Sequence, residues 1–281
     1  MLMCSSEFRV IASSRNILLR QLNRFDQDLL DPHLEEIRMK RGDVLIRPDD
    51  PLGAIYFPNS GMLSVEERIG RHRHVEIAVV GREGLLGWPA LLGCERSCHS
   101  AIVQGRDGTA LRIGLKAFLG ACRDSPTLWT TLLCFVQTII LQMGRTIASH
   151  IDHSLDQNLA RWLLMRHDRV GGDELLVRHD EIADALGVRR ASITDKLHIL
   201  EGQRLVRCNR GRLVVRNRPD LERVAGEAYG QAEAQYRRLI APFGKSAGSS
   251  EETPQFIPDV SINDLDKALM IRSGASRPDP M

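Results

Sequence analysis

His179-Asp-Glu-Ile-Ala-Asp-Ala-Leu-Gly-Val-Arg-Arg-Ala-Ser-Ile-Thr-Asp-Lys-Leu-His-Ile-Leu200 decides how this chain is read. Ile182, Ala183, Ala185 and Leu186 give a short first helix its apolar positions, and Gly187 can take the positive φ of a tight turn. Val188 restarts the pattern, and Ile193, Leu197 and Leu200 recur at i, i+4 and i+7 to give a second helix one buried stripe. That burial leaves Arg189, Arg190, Ala191, Ser192, Thr194, Asp195 and Lys196 outside. Two arginines and small polar residues at a helix start suit insertion into a major groove. Downstream, Leu205-Val-Arg-Cys-Asn-Arg-Gly-Arg-Leu-Val-Val-Arg216 reads as two short apolar strands around an Arg-rich tip. The sum is a winged helix-turn-helix. An ordinary helical hairpin with solvated arginines is the alternative, and it gives no reason for turn, stripe and wing to follow in this order.

Charge agrees. From Arg178 to Arg218 there are ten Lys or Arg and five Asp or Glu, a net +5, while the whole chain is only +2. Basic charge gathered on one element is the footprint of phosphate binding. A rival class, a sensor whose C-terminal half docks a protein partner, has no need of that concentration. Enzyme signatures are missing from the sequence: no Gly-rich phosphate loop with Lys, no Gly-x-Ser-x-Gly, no spaced His/Glu metal pair. Gly81, Gly84 and Gly87 open no predicted helix, so they fail the context test of a dinucleotide fingerprint.

At 281 residues, with 43% hydrophobic and 26% charged residues, the chain suits two modest soluble domains plus tails. The longest apolar run, Leu128 to Met143, is broken by Thr and Gln and falls short of the roughly 20 residues of a membrane span. Met1-Leu-Met-Cys-Ser-Ser-Glu7 lacks the layout of a signal peptide. Cys4, Cys94, Cys98, Cys122, Cys134 and Cys208 follow no disulfide spacing, so reduced thiols and a cytoplasmic location are expected.

The expected architecture is α+β. Residues 1–31 form a helical extension. Residues 32–124 carry short apolar pieces (44–46, 54–57, 62–65, 75–80, 101–103, 110–113) between Gly, Pro, Asp and Asn turns, the texture of an antiparallel β-roll. Residues 125–152 form a long helix from Ser125-Pro126, and its stripe Leu128, Leu132, Phe135, Ile139, Met143 and Ile147 suggests a dimer seam. Residues 153–240 hold a further helix over 156–168, a strand near 175–177 and the winged helix-turn-helix. Residues 241–281 read as a loose tail, with a short helix possible over 260–271.

Gly42-Asp-Val-Leu45, Ile55-Tyr-Phe-Pro-Asn-Ser-Gly61, Val80-Gly-Arg-Glu-Gly-Leu-Leu-Gly87 and Asp180-Glu-Ile-Ala-Asp-Ala-Leu-Gly-Val-Arg-Arg-Ala191 resemble the Crp/Fnr family of bacterial transcription factors, over about residues 15–240. The resemblance implies a cyclic-nucleotide-binding-like roll, a homodimer on symmetric half-sites of double-stranded DNA, RNA polymerase as a partner, and an effector that biases the dimer. The effector pocket departs from the pattern. Cyclic-nucleotide binders follow the roll glycine with a Glu for the ribose; here Gly87 precedes Trp88. Their phosphate-neutralising Arg-Ser or Arg-Thr pair falls on Cys98 and His99, unless a two-residue gap brings Arg96-Ser97 into place. The purine-facing pair of the long helix falls on Met143 and Gly144. Loss of these charge-assisted contacts argues against cyclic AMP. A single N-terminal cysteine, Cys4, argues against an iron–sulfur cluster. Cys94, Cys98 and His99 read as a thiol or metal site, or as a roll loop with incidental cysteines; Arg71-His-Arg-His74 reads as a solvated hairpin turn. No certain cofactor follows, and nothing selects a haem-ligating pair.

Matched to the family's recognition-helix motif, the base-facing positions fall on Arg190, Ala191 and Asp195. Arg190 suits guanine O6 and N7; Ala191 suits a thymine methyl; Asp195 accepts from a cytosine amino group or pairs with Arg190 or Lys196. The family often has glutamate and arginine where Ala191 and Asp195 stand, which implies a different operator. Arg189, Ser192, Lys196, Arg210 and Arg212 are the expected phosphate contacts.

Overall fold

The computed structural model describes residues 10–70 and 73–245. Cys4, Arg71 and the helix expected over 260–271 lie outside the described residues. Two short helices come first, α1 (Ile17–Gln21) and α2 (Arg24–Leu30). Each starts on an asparagine: Asn16 Oδ1 accepts from the Leu19 amide at 3.0 Å and Asn23 Oδ1 from the Asp26 amide at 2.9 Å.

Seven strands then build the roll: β1 (Glu35–Met39), β2 (Val44–Ile46), β3 (Ala54–Pro58), β4 (Met62–Ile69), β5 (Arg73–Val80), β6 (Ser100–Gln104) and β7 (Gly108–Gly114). They form two antiparallel sheets, β1-β7-β3 and β2-β6-β4-β5. Ile55, Phe57, Leu63, Val65, Leu111 and Ile113 meet between them and exclude water. Strand β1 has no counterpart among the apolar pieces of the sequence. Glu35, Glu36 and Arg38 point outward on it and Glu35 pairs with Arg112 across the ladder, so hydrogen bonding to β7 holds it together with burial of Met39 and packing of Ile37.

Helix α3 (Leu115–Asp124) closes the roll and α4 (Pro126–Asp152) runs across it. Ser125 Oγ accepts from the Leu128 amide at 3.2 Å, and Pro126 takes the position where its missing N–H costs nothing. Here the structure corrects the sequence reading. Leu128, Leu132, Phe135 and Ile139 are buried in the chain's own core, so they do not face a partner. Phe135 lies on Gly84, where a Cβ would fall 2.1 Å from its ring. The helix also carries a second, outward face rich in isoleucine. Leu133, Gln137, Ile140, Gly144, Ile147 and Ile151 follow one another at alternating steps of four and three, and Ile140, Ile147 and Ile151 remain 47%, 59% and 81% exposed. Of the expected seam, Met143 is half-buried and Ile147 belongs to this outer face.

The second core is the C-terminal half. Helix α5 (Leu155–His167) begins on a Ser154/Gln157 capping box. It packs Leu159 and Leu163 against α6 (His179–Leu186), α7 (Arg190–Gly202) and a small sheet. That sheet orders β8 (Glu174–Leu175), β10 (Arg212–Val215) and β9 (Val206–Asn209). Helices α8 (Arg218–Ala225) and α9 (Gln231–Leu239) follow, and α9 returns to pack along α4. Tyr236 Oη donates to the Glu83 carbonyl at 2.6 Å, and the Phe243 ring lies 5.1 Å from that of Tyr236. Ala241 and Phe243 are buried in the core, so the chain is still packed at the point where the composition suggested a loose tail begins.

Candidate nucleic-acid interface and the cleft behind it

The turn between α6 and α7 is built as the sequence dictates. Gly187 sits at φ +66°, and its amide and that of Val188 return to the carbonyls of Asp184 (3.1 Å) and Ala183 (2.9 Å), ending α6 abruptly. At the start of α6 the Arg178 amide donates to Glu181 Oε2 at 2.8 Å. Ile193, Leu197 and Leu200 are buried, which fixes the rotation of α7. Arg189, Arg190, Ala191 and Asp195 consequently stand exposed at and after its N-terminus. Thr194 is held inside the motif, its hydroxyl donating to the Arg190 carbonyl (3.1 Å) and lying 3.0 Å from His179 Nδ1. Burial, with Arg190 nearby, holds the His179 ring below its usual pKa.

Two expected phosphate contacts are less free than the sequence implied. Lys196 Nζ lies 2.8 Å from Asp156 Oδ2 and ties α7 to α5; Ser192 is half-buried. The wing pairs Arg212 with Asn209 and Val215 with Val206, which puts Arg210 at the exposed tip. Arg212 is also exposed, 3.4 Å from Glu174 Oε2, a carboxylate it shares with Arg106 of the roll at 2.6 Å.

The effector residues inferred from the resemblance do not gather into a cavity. Gly87 is buried and caps the 3-10 turn Trp88–Leu92, on which Trp88 is half-buried. Cys98 is exposed, and His99 Nδ1 lies 2.6 Å from Glu67 Oε2 on β4. Arg96 is exposed and donates to the Asp49 carbonyl, away from the roll interior. Met143 and Gly144 lie on α4, with Gly144 exposed. No carboxylate is presented for a ribose and no guanidinium for a cyclic phosphate, so these residues do not fit a cyclic nucleotide. Burial pushes the Cys122 thiol up to about 12 and the Cys208 thiol up to about 11, which keeps both protonated at neutral pH. Among the described residues no group of three or more His, Cys, Asp or Glu is placed to hold a metal ion.

The sizeable cavity lies elsewhere, between the roll and the helix-turn-helix, with a volume of about 920 Å³. Sequence reasoning missed it because it belongs to neither domain alone. Two buried ion pairs border it. Arg166 of α5 makes a two-pronged contact with Glu76 of β5 (2.5 and 2.7 Å), and Ser64 adds a hydrogen bond to the same carboxylate at 2.6 Å. Arg169 meets Glu83 of the glycine-rich roll turn at 2.8 Å. The visible signal was Arg161, Arg166 and Arg169 set in the apolar run around Trp162-Leu-Leu-Met165, since arginines in such company need buried partners. Farther out, Arg41 of the roll pairs with Glu181 of α6.

Two family profiles match this arrangement, a cyclic nucleotide-binding domain over residues 36–125 and a Crp-like helix-turn-helix domain over residues 157–224. The chain belongs to the Crp/Fnr family. Solved structures share its fold at low identity. FixK2 from Bradyrhizobium japonicum is 15% identical, with 70% of this chain and 99% of that one covered, at a TM-score of 0.61. A CRP-family transcriptional regulator from Thermus thermophilus is 20% identical, covering 69% and 98%, at 0.59. The c-di-GMP-responsive global regulator CLP of Xanthomonas campestris is 16% identical, covering 69% and 99%, at 0.57. No curated protein sequence matches the chain. As a Crp/Fnr member the chain is a DNA-binding transcription regulator with a cyclic-nucleotide-binding-like domain. Its α4 alone among the described helices has the length and apolarity of a membrane span, and the buried face of that helix is packed on the roll.

Proposed function

We propose that this Crp/Fnr regulator acts as a homodimer that reads an inverted repeat of double-stranded DNA through α7. The carrying observation is that burial of Ile193, Leu197 and Leu200 leaves Arg190, Ala191 and Asp195 exposed at the base-reading end of that helix. Arg190 donates to guanine, Ala191 meets a thymine methyl and Asp195 accepts from cytosine. Arg189, Arg210 and Arg212 hold phosphates, with Ser192 and Lys196 as lesser contributors because one is half-buried and the other engaged by Asp156. The seam between protomers runs along Leu133, Ile140, Gly144, Ile147 and Ile151.

In this reading the protein is a cytoplasmic, non-enzymatic regulator that contacts RNA polymerase, and its signal is not cyclic AMP. Support for the last point is the absence of a ribose carboxylate at Trp88 and the engagement of His99 with Glu67. The test is base-specific. Arg190→Ala, titrated against the preferred operator and its single-base variants, loses about 1–3 kcal/mol and relaxes discrimination at one base pair. Equal loss on every sequence removes Arg190 from base reading.

A further inference from the structure

Strand β5 is the outer strand of its sheet, and helix α6 packs on it. The contact is close: a Cβ built on Gly187 would fall 4.0 Å from Val75 Cγ2. Arg73 and Arg189 each lie two residues from that contact, and both line the cleft. Two residues span at most about 7 Å, so the backbones at Arg73 and Arg189 lie within about 20 Å of each other. A DNA strand carries a phosphate about every 3.4 Å, so that distance covers about six nucleotide steps and one stretch of duplex can meet both residues.

Charge along the β4–β5 hairpin is segregated. A ladder is stabilised when opposite charges face each other across it. Here Glu66 faces Glu76 and Arg68 faces His74, while Arg73 faces Ile69. The acidic pair has its reason inside the chain. Arg166 holds Glu76, and burial, with Glu76 opposite, pushes the Glu66 carboxyl up toward its neutral form. The basic end has no such reason. Arg68, Arg73 and His74 are exposed, and neither arginine makes an ion pair among the described residues. The carboxylates around them are mostly engaged: Glu67 by His99, Glu174 by Arg106 and Glu181 by Arg41. Asp107 and Asp184 are exposed and make no ion pair among the described residues, so the cleft as a whole is close to neutral. What the end of the hairpin adds is placement: two unpaired guanidiniums on the side of the roll that meets the helix-turn-helix.

We propose that Arg73 and Arg68 hold DNA phosphates flanking the half-site that α7 reads. Alternation sends the two side chains to opposite faces of the ribbon, so each reaches a different phosphate. The roll then adds sequence-independent contacts to those of Arg189 and the wing, and each protomer covers a longer stretch of backbone. The assignment rests on the DNA reading of α7 and brings a second domain into that interface. A phosphate contact of this kind needs charge and not a two-pronged fork, so lysine serves at either position.

The test uses the full chain carrying Arg68→Gln and Arg73→Gln together, titrated with a long random-sequence duplex over a salt series. Each phosphate contact contributes about 0.9 to the slope of log K against log salt. The double variant therefore loses about 1.8 of slope per bound protomer, and the wild type's advantage over it shrinks about twelvefold between about 50 and 200 mM salt. Arg123→Gln, which removes an exposed cation from α3, keeps the wild-type slope. Arg68→Lys with Arg73→Lys keeps it too. A wild-type slope in the double glutamine variant overturns the proposal. So does an equal loss per charge in Arg123→Gln, which would make the effect one of net charge. A double variant that binds duplex as wild type does but fails to support transcription by RNA polymerase also overturns it, and gives the hairpin to a protein partner. Failure of the wild type to bind any duplex refutes the DNA reading itself and the hairpin contact with it, whereas the other outcomes leave that reading standing.

Discussion

Ile140→Ala separates the two faces of α4. Ile140 keeps 47% of its surface exposed, on the face that follows a four-three repeat. Truncation to alanine removes three carbons, each worth about 0.8 kcal/mol when fully buried. With close to half of that surface left for a partner to cover, the loss is about 1 kcal/mol per chain. A two-fold seam contains the residue twice, so the dimer weakens by about 2 kcal/mol, roughly 30-fold in Kd. Leu132→Ala is the control. Leu132 is fully buried in the core of its own chain, so its truncation costs about 2–5 kcal/mol of unfolding free energy and leaves self-association of the folded chain within about threefold. Sedimentation equilibrium reads the first quantity and denaturant unfolding the second. The reasoning is refuted if Ile140→Ala associates as wild type while a folded Leu132→Ala chain dissociates; the seam would then lie where the sequence stripe first put it.

Arg210→Ala weakens binding to all DNA sequences alike and lowers the slope of log K against log salt by about one, read from anisotropy titrations over a salt series. An unchanged slope takes the wing tip off the phosphates. His167 gives a pH dependence. Its ring is buried, Nε2 lies 2.9 Å from Asp173 Oδ1, and Arg218 Nη1 sits 3.0 Å from Nδ1, which therefore has to accept. Burial holds its pKa below 6.5 in the folded chain. The unfolded chain then takes up a proton that the folded one refuses, so stability is complete above about pH 6.5 and is lost as pH falls below it. His167→Gln, which keeps a donor and an acceptor, flattens that loss in urea unfolding between the two sides of this pH; a slope equal to wild type contradicts the assignment.

The parts of the fold that a local pattern specifies were legible in the sequence. Gly187 between two apolar stripes gave the turn, and Ser125-Pro126 gave the start of α4, because each needs only neighbours within a few residues. Strand β1 was hidden because its residues are mostly charged and its partner, β7, lies about seventy residues away. The rotational phase of α4 was misread for a related reason. Leu132 and Ile140 are equally apolar, and only the tertiary contact of Phe135 with Gly84 says which face turns inward. At the interface, the exposed residues of α7 followed from its buried ones. The engagement of Lys196 by Asp156, and the cleft walled by Arg166–Glu76 and Arg169–Glu83, come from pairings between distant segments that no local pattern encodes.

In vitro selection of random duplex DNA by the purified, effector-free protein at near-physiological salt tests the central claim most directly. The account predicts an enriched inverted repeat with half-sites about 10 base pairs apart, centre to centre, as two α7 helices on one face of the duplex require. Binding that is uniform across sequences and vanishes with salt would contradict it, because exposed Arg190, Ala191 and Asp195 would then be reading nothing.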